Sequence, residues 1–185
     1  SSPVVLALAA WTLVLNADYT GAAGAWSYLP LLNPLDLGQI FVLGTLFVWV
    51  REQSRARGVL FAVLGALTFA WLSAGAARTV HHWLGVPFVW DRLVDSVALQ
   101  ASWSILWTLL ALGLMIHATR RGLRTLWFAG FGLLGVVGLK LMLVDTAHVN
   151  TLGRTVSLLG VALLVIAASY FAPTPPKSAT SSEEN

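Results

Sequence analysis

Lys140–Gly160 reads KLMLVDTAHVNTLGRTVSLLG. Its first residues close one apolar run and its last residues open another, with Lys140, Asp145 and Arg154 at or inside the two ends. A charge at the centre of a membrane helix costs roughly 2.5–3.5 kcal/mol on insertion scales, so charges at such depth come with partners. Two apolar helices joined by a short polar loop, with charges at their mouths, is the grammar of a membrane bundle rather than of a soluble core.

Composition outside this stretch agrees. Apolar residues make up 57% of the 185-residue chain and charged residues 10%, against the quarter or so that is usual in soluble domains. Cysteine is absent, which excludes a disulfide framework, thiolate metal ligation and a cysteine nucleophile. The net charge of +3 is small and gathered at the ends of apolar runs, which argues against a nucleic-acid partner. The chain opens on Ser1 with no basic stretch before the first apolar run, so that run is not a complete signal peptide. The expectation is a C-terminal portion of a longer protein.

Six apolar segments follow one another: 3–15, 35–50, 59–77, 97–118, 126–144 and 156–172. A helical span needs about 20 apolar residues, with about 17 as the lower limit. The first segment is short, the second marginal, and the other four are long enough. Backbone polar groups in lipid must be satisfied within the segment, and period-two alternation is absent, so the segments are helices and not barrel strands. The expected fold is all-α, a polytopic transmembrane bundle of about six helices over 1–172. The Pro- and Ser-rich end, 173–185, has nothing to bury and reads as a disordered tail. Arg51, Arg55 and Arg57 fall in one connection and Arg120, Arg121 and Arg124 in another. The positive-inside rule then places both termini, and the tail, in the cytoplasm.

Small residues supply the expected packing faces. Ala66, Ala70 and Ala74 repeat at four-residue spacing on the third segment, and Gly130, Gly132, Gly135 and Gly138 line the fifth. Such spacing lets membrane helices approach closely. The string GFGLLG within the fifth matches a dinucleotide-binding pattern in letters only, since no strand precedes it.

Lys140 is the sharpest single feature. It lies about one turn from the outer end of its helix, and helical side chains lean back towards the helix N-terminus. It therefore needs a local acidic or carbonyl partner, with Asp145 or Asp36 as the acidic choices. Arg154, at the mouth of the last helix, offers a planar fork for a carboxylate or phosphate. With Asp36, Arg78, Asp91, Arg92 and Asp95 these residues gather polarity on the outer side, joined by Asn16, Asp18, Gln100, Ser102 and Ser104. His148 lies between Asp145 and Arg154, where a proton relay is conceivable. His81 and His82 are adjacent, so in a helix they diverge by about 100° and match no metal motif. Neither a metal nor a cofactor is called for.

The runs LWFAGFGLLGVVGLKLMLVD and GRTVSLLGVALLVIAASYFAP resemble the C-terminal end of a bacterial membrane-protein family, domain of unknown function 2339. The resemblance rests on Lys140, Leu141, Leu143, Val144, Asp145, Arg154, Ser157, Gly160 and Tyr170, and extends to NPLDLGQ at 33–39 and SWSILW at 102–107. It implies a helical membrane fold and assigns no activity. Taken together, the residues suggest an inner-membrane transport or envelope-assembly subunit. It would hold an anionic lipid or partner transmembrane helices against the outer polar cluster. The alternatives are an enzyme acting on a lipid-linked phosphate or sugar, with Asp145, Asp91 or His148 as general base, and a proton or ion pathway.

Overall fold

The computed structural model describes residues 2–21, 28–54 and 56–142, together with Ala162 and Ile166. Among these residues there are six helices and no strand: α1 (Ser2–Asp18), α2 (Pro34–Glu52), α3 (Arg57–Leu84), α4 (Trp90–Val94), α5 (Val97–Arg121) and α6 (Arg124–Lys140). Five coincide with the first five apolar segments. The short α4 sits in the connection between the third and fourth. The last apolar segment and 173–185 lie outside the described residues, apart from the helical Ala162 and Ile166.

The helix ends have local causes. Asn33 is extended (φ −76°, ψ 156°), its side chain accepts the Asp36 N–H, and Pro34 occupies the first helical turn of α2. This is the N-cap arrangement that satisfies one orphan donor while proline's missing N–H costs nothing. α3 stops at Gly85, which is left-handed (φ 67°) and returns its N–H to the His81 carbonyl, a conformation that glycine enters without a Cβ penalty.

α2, α3 and α5 are each long and apolar enough to cross a membrane. Their outward faces carry side chains that water would disfavour: Phe41 is 77% exposed, Val59 66% and Ile105 63%. Apolar surface on this scale is ordinary against lipid and a liability against water.

The chain divides into two compact units, Ser1–Leu99 and Gln100–Asn185. In the first, α1, α2 and α3 pack together through faces of period three to four. Val42, Leu43 and Leu46 of α2 and Leu64, Leu67 and Trp71 of α3 form an apolar cluster, with Val5, Leu8 and Ala9 of α1 against it. Along the same faces, towards the N-terminal end of α2, the buried residues turn polar: Thr12 and Asn16 on α1, Asp36 and Gln39 on α2, Arg78 on α3. A polar layer thus caps an apolar one.

One packing expectation needs correction. The buried face of α3 is carried by Leu64, Leu67, Trp71, Ala77 and Arg78, while Ala66 is exposed and Ala70 and Ala74 are half-buried. The alanine ladder runs beside the contact face, which is made by large side chains interlocking.

In the second unit, Ser104, Thr108, Ala111, Met115 and Ala118 recur every three or four residues as the buried face of α5. α6 answers with Trp127, Gly130 and Val137. Of the four glycines expected to pack, Gly130 alone meets a neighbour closely. A Cβ there would stand 2.7 Å from Met115 Cγ and 2.9 Å from the Ala111 carbonyl oxygen, whereas at Gly132, Gly135 and Gly138 it would meet no described residue within 4 Å.

Candidate functional site

The polar cap of the first unit is assembled around one carboxylate. Asp36 lies in the first turn of α2, where Asn33 holds it from both sides. Asn33 Oδ1 accepts the Asp36 N–H at 2.9 Å, and Asn33 Nδ2 donates to Asp36 Oδ2 at 2.6 Å. A left-handed turn at Leu31 (φ 65°) directs a second donor, the Leu31 N–H, onto the same oxygen at 3.1 Å. α3 serves the other oxygen. Trp71 Nε1 donates to Asp36 Oδ1 at 3.0 Å, and Arg78 Nη2 donates to it at 2.8 Å. Trp71 and Arg78 are seven residues apart, two helical turns, so one face of α3 delivers both.

Arg78 completes the link to α1. Its Nη1 donates to Asn16 Oδ1 at 3.0 Å, and Asn16 Nδ2 donates onward to the Thr12 carbonyl at 2.9 Å. The arginine side chain is 0% exposed and the aspartate 1%. Gly21 (φ 75°) closes over it, since a Cβ at that position would lie 3.2 Å from Arg78 Cδ and 3.3 Å from Tyr28 Cε2. A side chain there is strained by backbone conformation and would press on both neighbours.

The chemical consequence is specific. Asp36 accepts four hydrogen bonds, two on each oxygen, one of them from a guanidinium. Such a carboxylate has its acceptor sites occupied and none left aimed at a substrate or a travelling proton. Removing one partner of a buried pair leaves an uncompensated charge, whereas the complete pair is tolerated. Trp71→Phe removes one donor and leaves three. It is expected to lower stability by about 1.5 kcal/mol, at the lower end for a bond to a charged group, read as a shift in the denaturant midpoint of the bilayer-extracted protein.

The other residues singled out by sequence fall elsewhere. In the second unit, Lys140 Nζ donates to the Gln100 carbonyl at 2.9 Å and to Ser104 Oγ at 2.8 Å. Ser104 Oγ in turn donates to the Gln100 carbonyl at 2.9 Å. Lys140 thus has a carbonyl partner, and Asp36, one of its two proposed acidic partners, is instead the counter-ion of Arg78. The physical reason is that α3 and the turn before α2, in the same unit, already saturate Asp36. Asp145, His148 and Arg154 lie outside the described residues. Asp91 and Asp95, at α4 and just after it, are exposed, as is Arg92. Among the described candidate residues, Asp36 and Arg78 are joined in an ion pair.

His81 and His82 make separate bonds to backbone. His81 Nδ1 lies 2.6 Å from the Val86 carbonyl and His82 Nε2 2.8 Å from the Thr20 carbonyl. Tyr28 stacks on the His82 ring at 4.3 Å. These rings tie the end of α3 to the segments around it.

Sequence reading passed over Trp71 and Asn33. Asn33 had a legible signal, an Asn-Pro-x-Asp run at a helix start, which is capping chemistry. Trp71 had only its two-turn spacing from Arg78, and nothing local ties an indole N–H to a carboxylate 35 residues away.

Comparison with known proteins adds one finding. A family model described as "Predicted membrane protein (DUF2339)" matches residues 1–175. No curated protein and no solved structure matches the chain. The match spans nearly the full sequence, agrees with the apolar helices and their lipid-facing side chains, and identifies the chain as a member of the DUF2339 family of predicted membrane proteins.

Proposed function

We propose that this integral membrane protein is a non-catalytic, multi-pass subunit of a bacterial inner membrane, serving transport or envelope assembly by holding partner transmembrane helices. Both termini face the cytoplasm in this reading, as the arginines at 51–57 and 120–124 favour. The observation that carries it is the saturation of Asp36. A buried carboxylate with four donors, spent on joining α1, α2 and α3, supports a scaffold and counts against a catalytic base or an ion relay at that position. Beneath it the buried residues are Val42, Leu43, Leu46, Leu64 and Leu67, an apolar layer unsuited to passing ions. Arg78 is sealed, so an anionic lipid has no access to it, and that part of the expected outer cluster is architecture. Nothing among the described residues favours the enzymatic alternative.

The test is proton flux in proteoliposomes made with the wild-type chain and with Asp36→Asn. Both are expected to match empty liposomes, with Asp36→Asn lowering stability. Flux that depends on Asp36 would overturn the scaffold reading. Native mass spectrometry after gentle extraction supplies the positive arm, a stoichiometric second polypeptide. A retained lipid-linked phosphate or sugar that is lost in Lys140→Met would move the assignment to an enzyme.

A further inference from the structure

The opposite end of α2 and α3 carries a second charged feature, built differently from the first. Asp36 and Arg51 are fifteen residues apart on α2, roughly 22 Å along a helix, so the two features stand at different depths. The connection there reads REQSRAR, Arg51–Arg57, with three arginines against the single Glu52. Arg51 lies over the Phe47 ring with its Cζ 5.8 Å from the centroid, and Arg57 lies over the Phe61 ring at 5.8 Å. The two rings meet edge to face, 6.0 Å between centroids. Each arginine is one helical turn from its own phenylalanine, and the ring pair bridges α2 and α3. Two guanidiniums are thereby held on a common aromatic base at the mouth of the hairpin.

Both arginines are exposed, and so is Glu52. No ion pair joins either of them to a described carboxylate; the buried pair of this unit is Arg78–Asp36. A guanidinium stacked on a ring keeps its in-plane N–H donors pointing outward, while its stem covers apolar surface. Phe47 is exposed and Phe61 packs against the apolar cluster, both near the ends of helices long enough to span, so in a membrane the donors emerge where hydrocarbon gives way to headgroups. A planar fork at that depth suits the two non-bridging oxygens of a phosphodiester, and the edge-to-face ring pair places both arginines at the same mouth of the hairpin.

We propose that Arg51 and Arg57 form a clamp for the phosphate of an anionic membrane lipid, such as a phosphatidylglycerol. The site is distinct from the sealed Asp36–Arg78 pair, and it stands or falls independently of the subunit reading above. On the proposed orientation it faces the cytoplasmic leaflet, where anionic lipids attract juxtamembrane arginines.

The experiment uses the full chain, delipidated, reconstituted into vesicles of phosphatidylglycerol and phosphatidylcholine in equal parts, and released for native mass spectrometry. The wild-type chain is expected to retain phosphatidylglycerol in preference to phosphatidylcholine. The double variant Arg51→Gln/Arg57→Gln is expected to lose that preference by roughly thirtyfold, the contribution of two surface charges. Arg51→Lys/Arg57→Lys keeps the charge but not the stacked fork and should fall between the two. Arg120→Gln/Arg121→Gln, which removes two charges from the other basic connection, should lose clearly less of the preference. Circular dichroism checks that the variants keep their helices, as expected for exposed positions. The proposal is overturned if Arg51→Gln/Arg57→Gln retains phosphatidylglycerol as well as wild type, if phosphatidylcholine is retained equally, or if Arg120→Gln/Arg121→Gln loses as much. Full competition by millimolar inorganic phosphate would assign the clamp to a free anion and overturn the lipid.

Discussion

Arg78→Met unfolds the first unit at a markedly lower denaturant concentration, with a stability loss of about 3–5 kcal/mol. Methionine fills much of the volume of the arginine stem, so the loss comes from Asp36, left as a buried anion with its counter-ion removed. Asn16 Oδ1 also loses its donor. The double variant Arg78→Met/Asp36→Leu separates the two contributions, because it removes the charge as well as its partner. It is expected to recover a large share of the loss, since a buried ion pair replaced by apolar residues of similar size is often neutral. Steric-trap or detergent-denaturation midpoints on the four members of this cycle read the coupling directly. A single variant no less stable than wild type would show that the pair is not the clamp described here.

Gly130→Ala is the second large effect. Its Cβ would meet the Ala111 carbonyl oxygen at 2.9 Å and Met115 Cγ at 2.7 Å. Met115 can swing to another rotamer, but a backbone oxygen in the middle of α5 cannot move without the helix. α5 and α6 must separate locally, forfeiting dispersion contacts along Met115, Ala118 and Trp127. A cost of about 3 kcal/mol is expected, the upper part of the range for overpacking. Gly132→Ala and Gly135→Ala provide the contrast. Among the described residues nothing lies within 4 Å of either position, so replacing helical glycine there should raise stability by a few tenths to about 1 kcal/mol. Midpoint shifts of opposite sign along one helix would confirm that a single glycine makes the contact.

The comparison of Lys140 with Arg78 shows where sequence reasoning reached. Lys140 stands out in the sequence as a charge inside an apolar helix, whereas Arg78 falls just past the third apolar segment and stands out only as one of the outer-side polar residues. Lys140 was recognised through its depth alone, and a carbonyl was among the partners named for it. For Arg78 the sequence names no counter-ion, and it offers Asp36 to Lys140 instead. Sequence distance does not rank such pairs; only the packing of α2 against α3 brings residues 36 and 78 to 2.8 Å. The alanine ladder on α3 misled for a related reason. Small-residue spacing permits close approach, but the face that is used depends on where the large side chains of the neighbouring helices interlock.

What the chain determined by itself was its solvent and its elements. Apolar runs of span length with arginines at their ends require helices in a membrane, because lipid offers no partner to a peptide group outside regular structure. The cap at Asn33 and the stop at Gly85 are equally local. What the tertiary structure decided was the use of the charges. Whether a buried carboxylate is a base, a relay or a fastener depends on how many donors reach its oxygens. Those donors come from Leu31, Asn33, Trp71 and Arg78, two from the turn before α2 and two from α3, and they converge only once α2 and α3 have packed.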